Sequence, residues 1–252
     1  MISEAEVRAY RPQADSLAER VVLITGASGG IGSALARACA ALGARVLLCG
    51  RKVSPLERIY DEIVASGAPR PSIAPMDFET ADAGQYSSLA DAVRGEFGRL
   101  DGLVHCAGLL GELAPIEHYD VVTWLKVMHV NVNAPFILTR TLLPLLRASG
   151  DASVIFTGSG VSVRGRAYWG AYAASKFAIE GLMQVLSDET DTLTRIRVNS
   201  VNPGKTRTRM RAKAYPGEDP ATLPEPTEVL APYLFLLGAA SEGVTGQRFN
   251  AQ

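Results

Sequence analysis

At 252 residues the chain fits one large α/β domain or two small ones, and its 25 Lys and Arg against 26 Asp and Glu leave a net charge of −1. So even a balance argues against a nucleic-acid or polybasic membrane role and makes a small molecule the expected partner. A 47% hydrophobic fraction can build a sizeable core, no apolar run approaches the ~20 residues of a membrane span, and the acidic start Met1-Ile-Ser-Glu-Ala-Glu lacks signal-peptide character, so a cytoplasmic location is expected.

The first strand is expected at residues 21–25, Val-Val-Leu-Ile-Thr, apolar on both faces as a parallel strand must be when helices cover both sides of its sheet. It runs into Thr25-Gly-Ala-Ser-Gly-Gly-Ile-Gly32 and an Ala-rich helix at 31–42. This reads as a phosphate-binding turn. Gly26 permits the tight bend, Gly30 and Gly32 allow close approach of backbone to phosphate and of helix to strand, and the helix N-terminus offers unpaired N–H groups to an anion. Ser28 and Ile31 of the same turn join them as expected cofactor contacts. The strict Gly-x-Gly-x-x-Gly string is absent, so dinucleotide binding is inferred from the position of the turn after the first strand of a βαβ unit. The second strand, 44–49, ends at Gly50-Arg51. An acidic side chain at position 50 would bond the ribose hydroxyls of NAD. Gly50 instead leaves room and Arg51 offers a guanidinium to a 2′-phosphate, so NADP is expected in preference to NAD.

Helices at 55–66, 85–97, 119–147 and 168–191 alternate with strands at 72–76, 102–106, 153–157 and 197–201, and a final helix closes the chain. The rhythm predicts an α/β fold: a single doubly wound, Rossmann-type parallel sheet with helices on both faces, residues 1–252 forming one domain. The proline-rich stretch 205–226 is too long for an ordinary connection and is expected to be a substrate lid. Its Arg207, Arg209, Arg211 and Lys213 read as solvated surface charge, with an anionic substrate or a cofactor phosphate as the alternative. Cys39, Cys49 and Cys106 read as free thiols, and no His, Cys and carboxylate cluster suggests a metal site.

Tyr172 and Lys176, in Gly170-Ala-Tyr-Ala-Ala-Ser-Lys176, stand four apart and share one helix face. A cation about 4 Å from a phenol stabilises the phenolate by roughly 4 kcal/mol at intermediate dielectric, about three pKa units, so the pair can serve as an acid–base catalyst. Ser159 closes a predicted strand thirteen positions earlier. Tyr168 has a tyrosine rather than a lysine four residues later and is assigned to pocket wall or core. Trp169 reads as packing, with a pocket-lining role as the alternative.

The 25–32 turn, Ser159, Tyr172 and Lys176 together resemble the short-chain dehydrogenase/reductase family, over about residues 20–246. Phe156-Thr-Gly-Ser159, Trp169-Gly-Ala-Tyr-Ala-Ala-Ser-Lys176 and the ending Thr245-Gly-Gln-Arg-Phe-Asn-Ala-Gln252 resemble its bacterial YciK-type branch. The resemblance implies that Asp77 and Phe78 lie near the adenine and that Ala107 and Gly108 border the cofactor. It makes Pro203, Gly204 and Thr206 the segment that holds the nicotinamide carboxamide. Asn131, in Val130-Asn-Val-Asn-Ala-Pro-Phe136, matches the catalytic asparagine that holds a proton-relay water. An NADP-dependent enzyme interconverting a carbonyl and an alcohol follows, with Tyr172 as acid/base, Ser159 positioning the oxygen, and Lys176 favouring the phenolate and binding the nicotinamide ribose. A homo-oligomer, dimer or tetramer, is also implied. His105-Cys-Ala-Gly108 departs from the usual Asn-Asn-Ala-Gly, and Asn250-Ala-Gln from the usual Asp-Gly-Gly; His105 is expected to be structural. From another functional class, the alternative is a catalytically idle NADP-binding sensor or scaffold, against which Ser159, Tyr172 and Lys176 argue.

Overall fold

Strand Val21–Thr25 (β1) is buried at all but the last sliver of its surface, and its side chains divide between two cores: Val22 and Ile24 face one, Val21 and Leu23 the other. That division follows from the two-residue period of a strand covered on both faces. Strands Arg45–Gly50 (β2), Ser72–Pro75 (β3), Gly102–His105 (β4), Ala152–Thr157 (β5), Ile196–Asn202 (β6) and Arg248–Asn250 (β7) join it in one parallel sheet of order β3-β2-β1-β4-β5-β6-β7. The computed structural model describes residues 2–191 and 195–252.

Nine α-helices among these residues surround the sheet: Glu4–Ala9 (α1), Gly30–Ala41 (α2), Val53–Ala65 (α3), Ala83–Phe97 (α4), Val121–Met128 (α5), Ala134–Ser149 (α6), Gly170–Asp191 (α7), Arg209–Ala214 (α8) and Ala231–Leu237 (α9). Leu35 and Cys39 of α2, Leu56 and Ile63 of α3, and most of α9 bury against one face. Leu89 and Val93 of α4, Leu138 and Leu142 of α6, and Ile179 and Met183 of α7 bury against the other. The strand order reverses between β1 and β4, which opens a crevice beyond their carboxyl ends where ligands of such sheets bind.

Three departures from the sequence reading have local causes. The helix expected at 119–147 is α5 and α6 joined by a π-helical turn, His129–Asn133. In the α register the donor to the Asn131 carbonyl would be Pro135, which has no N–H. The helix expected from residue 168 starts at Gly170, because Tyr168 is held at φ 72°. Contrary to its assignment as wall or core, Tyr168 is 59% exposed. The expectation that nothing approaches a membrane span in length and apolarity also needs correction. The continuous helical stretch Val121–Ser149 meets that measure by length and composition. Its apolarity is explained in part by Val127, Leu138, Leu142, Leu145 and Leu146, which are buried in the protein core. Helix α1 and the three-residue β7 went unread. Ser3 and Glu6 form a capping box on α1, and Glu4 accepts hydrogen bonds from Asn250 of β7, tying the two ends of the chain together.

Candidate active site

The 25–32 turn sits at the crevice and its glycines are required there. A Cβ on Gly26, which has φ 67°, would come 2.9 Å from the Ala107 nitrogen, and one on Gly32 would overlap the Gly26 carbonyl. Thr25 accepts the backbone N–H groups of Cys106 and Ala107, both at 3.1 Å, which ties the ends of β1 and β4 together. Helix α2 begins after Gly29 with no side-chain cap. Its first N–H groups are left for a ligand, beside a cavity of about 480 Å³ lined by Gly26, Ser28, Gly30, Ile31, Gly32, Ala107 and Gly108. A dinucleotide phosphate fits such a cradle.

At its other end the same cavity is lined by Ser159, Tyr172 and Lys176, so the structure brings the predicted catalytic side chains to one wall. Ser159 is extended and caps the turn Gly160–Ser162. Tyr172 and Lys176 stack on the first turns of α7, both buried. The ammonium lies 5.6 Å from the Tyr172 ring centroid and donates to the Thr157 carbonyl at 2.7 Å. Burial pushes the phenol up to about 12, opposed by a hydrogen bond from Ser159. The Lys176 ammonium is held by the Thr157 carbonyl, not by the phenol oxygen. Burial brings Lys176 down to about 8, against the opposing pull of Cys106 and Glu180.

Asn131 is buried behind the cavity wall. Its Oδ1 accepts the Leu109 N–H at 2.7 Å, while Nδ2 donates to the Leu109 carbonyl at 2.9 Å and to Ser175 at 3.0 Å. His105 is buried 2.8 Å from Thr139 and stacked on Phe156, and burial with the nearby Lys176 lowers it to about 3. Those contacts fit the structural part expected of it. Pro203, Gly204 and Thr206 line the cavity after β6, and Trp169, Leu110, Met210 and Ala214 line it around Tyr172.

The short chain dehydrogenase family model matches residues 20–219. The chain belongs to the short-chain dehydrogenase family. Its members are oxidoreductases, so this short-chain dehydrogenase is an enzyme. It is 46% identical over 243 residues to the oxidoreductase YciK of Escherichia coli K12, covering 96% of each chain. It superposes on a short chain dehydrogenase from Pseudomonas syringae with a TM-score of 0.95 at 52% identity, covering 96% of this chain and 98% of that one. A short chain dehydrogenase from E. coli CFT073, complexed with NADPH, superposes with a TM-score of 0.93 at 46% identity, covering 96% and 100%.

Arg51, Asp77 and Phe78 of this dehydrogenase stand apart from the cavity lining. Arg51 follows β2 and forms an ion pair with Glu79 at 3.1 Å; the other Glu79 oxygen meets Lys126 at 2.6 Å. Asp77 accepts the Glu79 N–H, and Phe78 is buried against Tyr86. Sequence reasoning missed Thr157, whose carbonyl takes the Lys176 ammonium, and Thr208, whose methyl would lie 2.9 Å from a Cβ on Gly30. Neither had a signal in local spacing. Of the cations in the 205–226 stretch, Arg207 pairs with Glu225 and Arg211 with Glu218.

Proposed function

We propose that the protein is an NADP-dependent reductase of a carbonyl group, able to run in reverse as an alcohol dehydrogenase. The observation that carries this reading is the convergence of Ser159, Tyr172 and Lys176 on one end of a cavity whose other end is a glycine-built phosphate cradle. The NADPH of the E. coli CFT073 relative supports the choice of cofactor. Gly26, Ser28, Gly30, Ile31 and Gly32 would hold the pyrophosphate side, with Ala107 and Gly108 beside it. Asp77 and Phe78 would flank the adenine, Pro203, Gly204 and Thr206 would hold the carboxamide, and Arg51 would leave Glu79 for the 2′-phosphate. When bound, the reduced nicotinamide supplies a hydride to a carbonyl carbon.

Tyr172, titrating at about 12, is protonated at neutral pH and is in the correct state to give its proton to the carbonyl oxygen. Ser159 donates a hydrogen bond to the same oxygen and holds it against the phenol. Lys176, charged below about 8, would bind ribose hydroxyls and favour the phenolate left behind. The Asn131 side chain is fully engaged with Leu109 and Ser175, so a relay water would be held by its main-chain carbonyl, which Pro135 cannot pair. Helix α8 would act as the lid, since Met210 and Ala214 already roof Tyr172. A homo-oligomer is supported by exposed apolar side chains on packed neighbours, Val121, Val122 and Leu125 of α5 with Phe177 and Val185 of α7.

The test is a fluorescence titration with NADPH and NADH, followed by a panel of ketones and aldehydes monitored by loss of NADPH absorbance. Tight NADPH binding with turnover of at least one carbonyl compound is expected. Binding without turnover of any carbonyl or alcohol, in either direction, would point to an idle cofactor-binding protein instead.

A further inference from the structure

The lid carries four cations, and the structure treats them unequally. Arg207 is paired with Glu225 at 2.6 Å, and Arg211 is paired with Glu218 at 2.5 Å and stacked 3.7 Å over Tyr215. Arg209 lines the catalytic cavity, is exposed, and among the described residues has neither an ion pair nor a hydrogen bond. Lys213, one helical turn further along the same face of α8, donates only to the Gly111 carbonyl at 3.2 Å. Arg166, ahead of α7, reaches only the Tyr215 hydroxyl, at 3.5 Å, and Tyr215 packs against the cavity-lining Trp169. Arg209 thus lines the cavity beside Leu110, Trp169, Met210 and Ala214, and among the described residues neither it nor Lys213 nor Arg166 has a carboxylate within ion-pair distance.

Unpaired cations that border a low-dielectric cavity attract anions into it. Taking the reductase reading as given, we infer that the substrate is a carbonyl compound with an apolar body and an anionic group, a carboxylate or phosphate, held by Arg209 of the cavity wall that also carries Met210 and Ala214. Lys213 extends the cationic stripe along α8 to the Gly111 carbonyl, next in sequence to Leu110 of the cavity wall. Thr208 rests against Gly30 of the phosphate turn, so the cofactor pyrophosphate is the competing partner for Arg209, and the experiment separates the two.

The probes are levulinate, its homologues one and two methylenes longer, and the methyl ester of each, titrated calorimetrically into the NADP⁺-loaded protein. At least one acid is expected to bind about ten- to a hundredfold more tightly than its ester, as a charge-assisted contact gives. Rising salt should erode the difference. Arg209→Ala should bring acid and ester to within about twofold of each other while the NADPH dissociation constant stays within about twofold of wild type, and Arg209→Lys should restore part of the preference. The inference is overturned if no acid outbinds its ester, or if Arg209→Ala weakens NADPH as much as it weakens the acid. Failure of NADP⁺ to bind at all would remove the reductase reading and this inference with it, whereas NADP⁺ binding without acid preference removes this inference alone.

Discussion

Replacing Glu180 should damage both stability and turnover, because this buried carboxylate anchors the segment that carries Ser159. It lies one helical turn beyond Lys176 on α7 and is 7% exposed. Ser200 donates to it at 2.6 Å, Ser162 approaches at 2.9 Å, and the Arg248 guanidinium stands at 3.4 Å. Arg248 also donates to the Ser159 carbonyl at 3.3 Å, so β6, β7 and the turn that Ser159 caps meet on one carboxylate. Glu180→Ala strips the anion from a partly exposed arginine and removes the charged acceptor of a fully buried serine. Breaking a buried pair costs about 3–5 kcal/mol, and the partial exposure of Arg248 places this case near the lower figure. For a chain of this size about 3 kcal/mol corresponds to a melting temperature lowered by roughly 6–12 °C. Freed from its anchor, Ser159 should shift enough to lower kcat by about tenfold. Glu180→Gln preserves the shape and one acceptor and should lose about half as much stability. Thermal melts with turnover measured well below the transition decide the matter. A Glu180→Ala protein that melts within about 2 °C of wild type and turns over normally would show that the carboxylate anchors nothing.

Tyr172→Phe removes the proton donor and should lower single-turnover reduction by about 10²–10⁴ while NADPH affinity, read by fluorescence, stays near wild type. Lys176, lowered from 10.5 to about 8, should make kcat/KM for NADPH fall as pH rises through about 8. Between those two values the unfolded chain binds the extra proton, so the group's contribution to stability rises with pH while activity falls. Urea unfolding of wild type and Lys176→Met across that window should show a stability gap that changes in that direction, and a gap independent of pH would refute it. Arg51→Ala should weaken NADPH by about ten- to a hundredfold and leave NADH nearly unchanged. Glu79→Gln, which frees Arg51 from its ion pair, should tighten NADPH in the same titration.

The parts of this protein legible from sequence are those in which neighbours along the chain act together. The apolar run 21–25 dictates a strand with two covered faces, and the glycines at 26, 30 and 32 occupy positions where a Cβ would meet backbone or Thr208. The four-residue step from Tyr172 to Lys176 places both on one wall of the cavity. Helix α1 and strand β7 escaped because six and three residues are too few for a period to emerge, and each is held by the other end of the chain. The π turn depends on a single missing N–H at Pro135, which leaves the apolar periodicity of the segment almost untouched.

Charge was harder to read, because what a charged side chain does depends on where its partner folds. The spacing puts Lys176 beside Tyr172 on α7, yet the carbonyl that takes the ammonium belongs to Thr157, nineteen positions back on strand β5. Arg51 stands where a 2′-phosphate reader should, and Glu79, twenty-eight positions away, occupies its guanidinium. The alternation Arg207, Arg209, Arg211 looks uniform along the chain. Only when Glu225 and Glu218 fold back on the first and third does the middle arginine stand out, among the described residues, as a cation without a counterion in the lining of the cavity that also holds Tyr172 and Ser159. Local pattern therefore picked out side chains that the fold gathers at one cavity, while the charge each of them presents there depends on which long-range partners are supplied and which are withheld.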